Sequence, residues 1–137
     1  MNIELYIKHL AVAIVCGFLI GLERQWKHKA AGMRTNILVA LGAAIFVIVS
    51  VLLKTENNDV TRIVSQIVTG VGFLGAGLIF RERSSVHGLT TAATIWCTAA
   101  VGSLAGFGYF YEAIIATVFI LVVNLLLRPL ENWISKK

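Results

Sequence analysis

Five apolar stretches almost without charge, each close to the length a helix needs to cross a lipid bilayer, decide what this chain can fold into. They cover residues 10–22 (extended outward by 5–9), 37–53, 63–80, 90–111 and 113–127. A helix of about 18 residues rises roughly 27 Å, near the roughly 30 Å of a bilayer's hydrocarbon core. Backbone amides in lipid must bond within their own segment, so runs of this length are expected to be helices. Strand and coiled-coil readings fail, because the runs neither alternate with polar residues nor keep a polar face. Charged residues are only 14% of the chain, where a soluble domain carries about a quarter. The expectation is an all-α integral membrane protein, a bundle of five transmembrane helices forming one domain over residues 1–137 with no soluble domain after it. The first helix is read as retained, since residues 1–8 lack the basic start of a secretory signal. Pro129 is expected to stop the fifth helix. Cys16 and Cys97 fall inside spans and read as small buried hydrophobes.

The basic residues set an orientation. With five spans, nine of the twelve Lys and Arg share one side: Arg24, Lys27, Lys29, Arg34, Arg81, Arg83, Arg128, Lys136 and Lys137. Lys8, Lys54 and Arg62 take the other. The excess predicts that the first and third loops and the C-terminus are cytoplasmic and that the N-terminus is outside. A chain with four spans would divide the cations evenly and erase the signal. Trp26, Trp133, Tyr109 and Tyr111 lie near expected span ends, where amphipathic rings favour the headgroup layer.

Glycine is the second signal. Gly70-Val71-Gly72-Phe73-Leu74-Gly75 matches a dinucleotide fingerprint, but no strand precedes it and no acidic residue follows at the required distance. Lipid offers no hydrophobic reward for pairing helices, so small residues that let backbones approach take that role. Gly70, Gly72, Gly75, Ala76 and Gly77 give the third helix such a surface. Gly17 with Gly21 and Gly102 with Gly106 repeat a spacing of four, one face each, in the first and fourth helices. That spacing fits packing within the chain or a homodimer contact.

Polar residues crowd the predicted cytoplasmic boundary. Glu23 and Arg24 close the first span, Arg34 and Asn36 open the second, and Arg81 follows the third. Acid and base from loops far apart in sequence thus share a partly dehydrated layer, where Glu23 has Arg34 or Arg81 as candidate partners. The seven acidic residues avoid mid-span positions, which disfavours a dedicated Mg²⁺ pore. Gln66, Thr94 and Asn124 are the interior polar residues that could bond helix to helix or line a narrow path. No catalytic constellation, metal-ligand spacing, cofactor motif or nucleic-acid motif is present, so the chain is read as a non-enzyme.

Four segments carry a resemblance. Gly21-Leu22-Glu23-Arg24-Gln25-Trp26, Ala31-Gly32-Met33-Arg34-Thr35-Asn36, Gly70 to Gly77, and Gly88-Leu89-Thr90-Thr91-Ala92-Ala93-Thr94-Ile95-Trp96 resemble, in order, the signatures of the MgtC/SapB family. The resemblance implies a multi-pass protein of the bacterial inner membrane. It also implies a link to growth under magnesium limitation and, in pathogens, to survival inside host cells. An influence on the proton-driven ATP synthase, exerted as a regulator, is part of the same implication. Thr90 and Thr91 stand where virulence-linked members carry Asn-Thr. Thr90 keeps a hydroxyl but lacks an amide's paired donor and acceptor.

The functional expectation is a regulator or accessory factor that contacts membrane lipids and docks other inner-membrane proteins through its helices. Its boundary would be set by Glu23, Arg24, Arg34, Asn36, Arg81, Thr90 and Thr91. The alternative is a small ion or solute carrier or channel, built as a dimer, with a path past Gln66, Thr94 and Asn124.

Overall fold

The computed structural model describes residues 2–54, 59 and 61–134. Lys136, Lys137 and Glu56, and the side chains of Arg128 and Trp133, lie outside what is described. Five long helices run as α1 (Ile3–Trp26), α2 (Met33–Leu52), α3 (Thr61–Leu78), α4 (Leu89–Phe107) and α5 (Phe110–Ile134). All five are long and apolar enough to cross a membrane. They coincide with the five apolar runs.

Two differences stand out. Between α3 and α4 lies a small antiparallel hairpin, β1 (Phe80–Glu82) and β2 (Ser85–His87), with Phe80 opposite His87. Arg83 takes a left-handed φ of 53° at its turn, and the Phe80 and His87 rings stack 5.4 Å apart. The third apolar run reached Phe80, but α3 ends two residues earlier so that the chain can reverse. Pro129 does not stop α5, which continues through it to Ile134. Proline removes one backbone donor, and near a helix end the carbonyl it would have served can be satisfied elsewhere.

The helix ends show why the loops are short. Lys29 N–H donates to the Arg24 carbonyl (2.9 Å) and His28 N–H to that of Gln25 (3.0 Å), with His28 left-handed at φ 52°. The same pattern closes α4: Tyr109 N–H reaches Leu104 O and Gly108 N–H reaches Ala105 O, both at 3.0 Å, around Gly108 at φ 86°. Both are Schellman closures, which turn the chain within two residues.

Packing centres on α2 and α4. α2 lies mainly against α1 and α4, while α3 leans chiefly on α4. Small residues make the contacts: Ala13, Ala40, Ala44, Ala105 and Ala113 are fully buried, joined by Ile20, Val47 and Val101. A Cβ on Gly17 would sit 2.8 Å from the Asn36 carbonyl oxygen and 3.1 Å from the Ala40 methyl; one on Gly21 would meet the Met33 Cα. A Cβ on Gly102 would collide with the Ala40 backbone, and one on Gly106 would lie 2.8 Å from both Ala44 O and Val47 Cβ. Within this chain, both glycine pairs are therefore filled by α2.

Candidate functional site

α1 ends, and α2 and α4 begin, at the same end of the bundle, and there the polar residues divide into two sets. Glu23, Arg24, Asn36 and Thr91 turn inward and are buried. Arg34, Arg81 and Thr90 are exposed.

The inward set makes bonds that reach four helices, α1, α2, α4 and α5. The Arg24 guanidinium donates through Nη2 to Thr91 Oγ1 at 2.7 Å, joining the last turn of α1 to the first turn of α4. A cation near a helix C-terminus is favoured by the helix dipole, and a hydrogen bond to a charged group contributes about 1.5–3 kcal/mol. Asn36 is fully buried, and its amide donates to Ala31 O (2.7 Å) and Gly32 O (3.0 Å). Ala31 sits at φ 59°, a left-handed conformation that costs an L-residue about 1–2 kcal/mol, so Asn36 holds a strained turn in place. The Thr98 hydroxyl donates and lies 2.9 Å from both Asn36 Oδ1 and the Thr94 carbonyl. Thr94 in turn donates to Thr90 O at 2.8 Å. Glu23 is reached by Asn124 of α5, whose Nδ2 lies 3.4 Å from Oε2. The acid thus meets an amide from α5 instead of Arg34 or Arg81.

At the opposite end stands a residue the sequence placed only at a boundary. His9 is buried, its Nδ1 is 2.9 Å from Gly106 O, and its ring meets Phe110 edge-on at 5.1 Å. A carbonyl can only accept, so Nδ1 carries the proton in this contact. His9 fastens α1 to the turn between α4 and α5.

α3 is different. A Cβ added at Gly70, Gly72 or Gly77 would meet nothing within 4 Å, and one at Gly75 would make only ordinary contact with Ala92. Ser65, Thr69, Gly72 and Ala76 are all exposed. Their spacing of four, three and four puts them on one face, a continuous strip of small residues. The two hydroxyls are spent on the helix itself, Ser65 donating to Thr61 O (3.3 Å) and Thr69 to Ser65 O (2.9 Å). The sequence reading found Gly72 and Ala76 of this strip but not Ser65 and Thr69, although the i, i+4, i+7, i+11 spacing was there to find them. Gln66 lines a groove between α2 and α3, and neither Thr94 nor Asn124 shares that lining. Among the described residues, no cluster of three or more His, Cys, Asp or Glu could hold a metal ion.

Comparison with known proteins follows the same residues. The model of the MgtC family matches residues 10–133. The chain is 58% identical over 121 residues to Protein MgtC of Brucella abortus, covering 88% of this chain and 50% of that protein. It is 53% identical over 131 residues to Protein MgtC of Salmonella typhimurium, covering 96% and 56%. An uncharacterised protein of Synechocystis is 54% identical over 126 residues, with 92% and 53% covered. The chain spans about half the length of the curated relatives it matches. No solved structure gives a significant match. Five membrane-crossing helices, the Glu23-Arg24 and Asn36 segments in their buried network, and a family match over nearly the whole length identify this chain as a member of the MgtC family.

Proposed function

We propose that this chain is a non-enzymatic regulator or accessory factor of the bacterial inner membrane, serving adaptation to low magnesium and intracellular survival. It acts by docking a transmembrane helix of another membrane protein on the outer face of α3. The N-terminus is outside and the polar cluster lies at the cytoplasmic boundary, as the distribution of basic residues predicts. One observation carries the reading. The glycine pairs of α1 and α4 are occupied by α2, whereas the strip Ser65, Thr69, Gly72 and Ala76 is exposed, and a Cβ on Gly72 would meet nothing within 4 Å. Small residues spaced this way let two helix backbones approach in lipid, where close packing is the main source of association. The Arg24, Thr91 and Asn36 network supports it by fixing the scaffold from which α3 is presented. The ATP synthase, suggested by family resemblance, is one candidate partner.

The test is a photocrosslinker placed at Thr69 in native membranes, combined with Gly72→Leu. Adducts with a discrete membrane protein that vanish in the folded variant, together with impaired growth in low magnesium, are expected. Unchanged adducts and growth would end the proposal. Adducts containing only a second copy of the chain would replace it with self-association. The carrier alternative has less behind it, since Gln66 does not share its groove with Thr94 or Asn124. Ion or solute flux in liposomes that Gln66→Leu abolishes would revive it.

A further inference from the structure

The groove between α2 and α3 is a different surface from the docking strip. It encloses about 600 Å³ and has Leu38 and Phe46 on its α2 wall and Leu74 on its α3 wall. Gly42 and Gly70 deepen it from either side, and a Cβ at either position would meet nothing within 4 Å. Arg34 and Thr35, in the first turn of α2, lie at the same end as Leu74 in the last turn of α3. Among the described lining residues Arg34 is the one charged side chain, and it is exposed. Gln66 lies toward the other end.

We infer that this groove is a binding site for an anionic membrane phospholipid, with its phosphate at Arg34 and Thr35 and one acyl chain along the slot. From Arg34 to Phe46 the slot runs about 18 Å between apolar walls, long enough to seat one hydrocarbon chain. Charge then selects the headgroup. The walls are apolar for about 12 Å from Leu74 to Gln66, and the cation sits at the end where α2 begins and α3 finishes, the depth of the headgroup layer. Basic sites between transmembrane helices at that depth recognise anionic headgroups. Arg34 and Thr35 supply the donors, and a guanidinium pairs with phosphate through two parallel bonds. This inference does not depend on the docking proposal, since Gly72 lies across α3 from Gly70.

The 137-residue chain in nanodiscs of equal phosphatidylglycerol and phosphatidylethanolamine tests it, with retained lipid counted by native mass spectrometry. Wild type is expected to retain phosphatidylglycerol in preference. Arg34→Ala should reduce that preference about fivefold, the factor equal to about 1 kcal/mol per basic residue at a lipid surface. Gly70→Leu should abolish retention of both lipids, and Gln66→Leu should preserve it, because leucine keeps that part of the wall apolar. A folded Gly70→Leu protein that retains as much lipid as wild type would overturn the proposal. So would release of the lipid by inorganic phosphate alone, or a groove shielded by a copurifying helix that Gln66→Leu frees.

Discussion

α3 and α4 are neighbours of nearly equal length and equal mean hydropathy, 1.2 over their best windows, yet 61% of the α4 window is buried inside the protein and only 17% of the α3 window. Both are rich in glycine. In α4 the glycines are seats for the α2 backbone; in α3 three of four face open space. The same residue type at similar spacing therefore does two jobs, and what separates them is the partner. In lipid, apolarity brings a helix into the membrane without saying which face it will bury. Close approach decides that.

The contrast is sharpest at single glycines. Gly102→Ala drives a methyl into the Ala40 backbone and should cost about 3 kcal/mol, read by detergent-induced unfolding followed by circular dichroism. Gly77→Ala on α3 meets nothing, and the gain in helix propensity should make it neutral or stabilising by up to about 1 kcal/mol. Equal losses at the two positions would erase the distinction between the helices. Next in size are the threonines. Thr98→Val removes the donor from buried Asn36 Oδ1 and should cost about 2 kcal/mol in the same assay. Thr69→Val, on the exposed face, should stay within about 0.5 kcal/mol. The smallest effect concerns how the two helices start. Asp59 accepts from Thr61 N–H at 2.8 Å, and the hydrogen bonds of Thr61, aided by nearby Arg62, hold its carboxyl below the usual 3.8. A carboxyl lowered on folding stabilises above its unfolded value, and that support disappears as the pH falls through the lowered folded value. The protection of the Thr61 amide relative to its intrinsic exchange rate should therefore fall on acidification below 3.8 in wild type and change little in Asp59→Asn. The start of α4, where Gly88 makes no side-chain cap, should show no such step.

Much of this was legible in the sequence. Apolar runs located all five helices, because span length is imposed by the bilayer and not by partners. The boundary residues were legible as a group; of them Arg24 and Thr91 bond each other, while Glu23 and Asn36 are buried with other partners. How they pair was not, since Glu23 reaches Asn124 across 101 positions and Arg24 reaches Thr91 across 67. Such pairings follow from which helices adjoin, and no periodicity along one segment reports that. The hairpin escaped notice for a local reason. Its strands have three residues each, too few to show alternation, and its turn uses Arg83 where glycine or asparagine would have announced it. His9 was equally hidden, because its burial depends on a carbonyl 97 residues away.

Ala40 lies where Gly17 approaches from one flank and Gly102 from the other. Three rods meet there at backbone distance, so neither α1 nor α4 can rotate or slide without moving α2. Any motion this molecule transmits must therefore leave that joint as one block, with α3, held mostly by side chains along one edge, as the part free to change its lean.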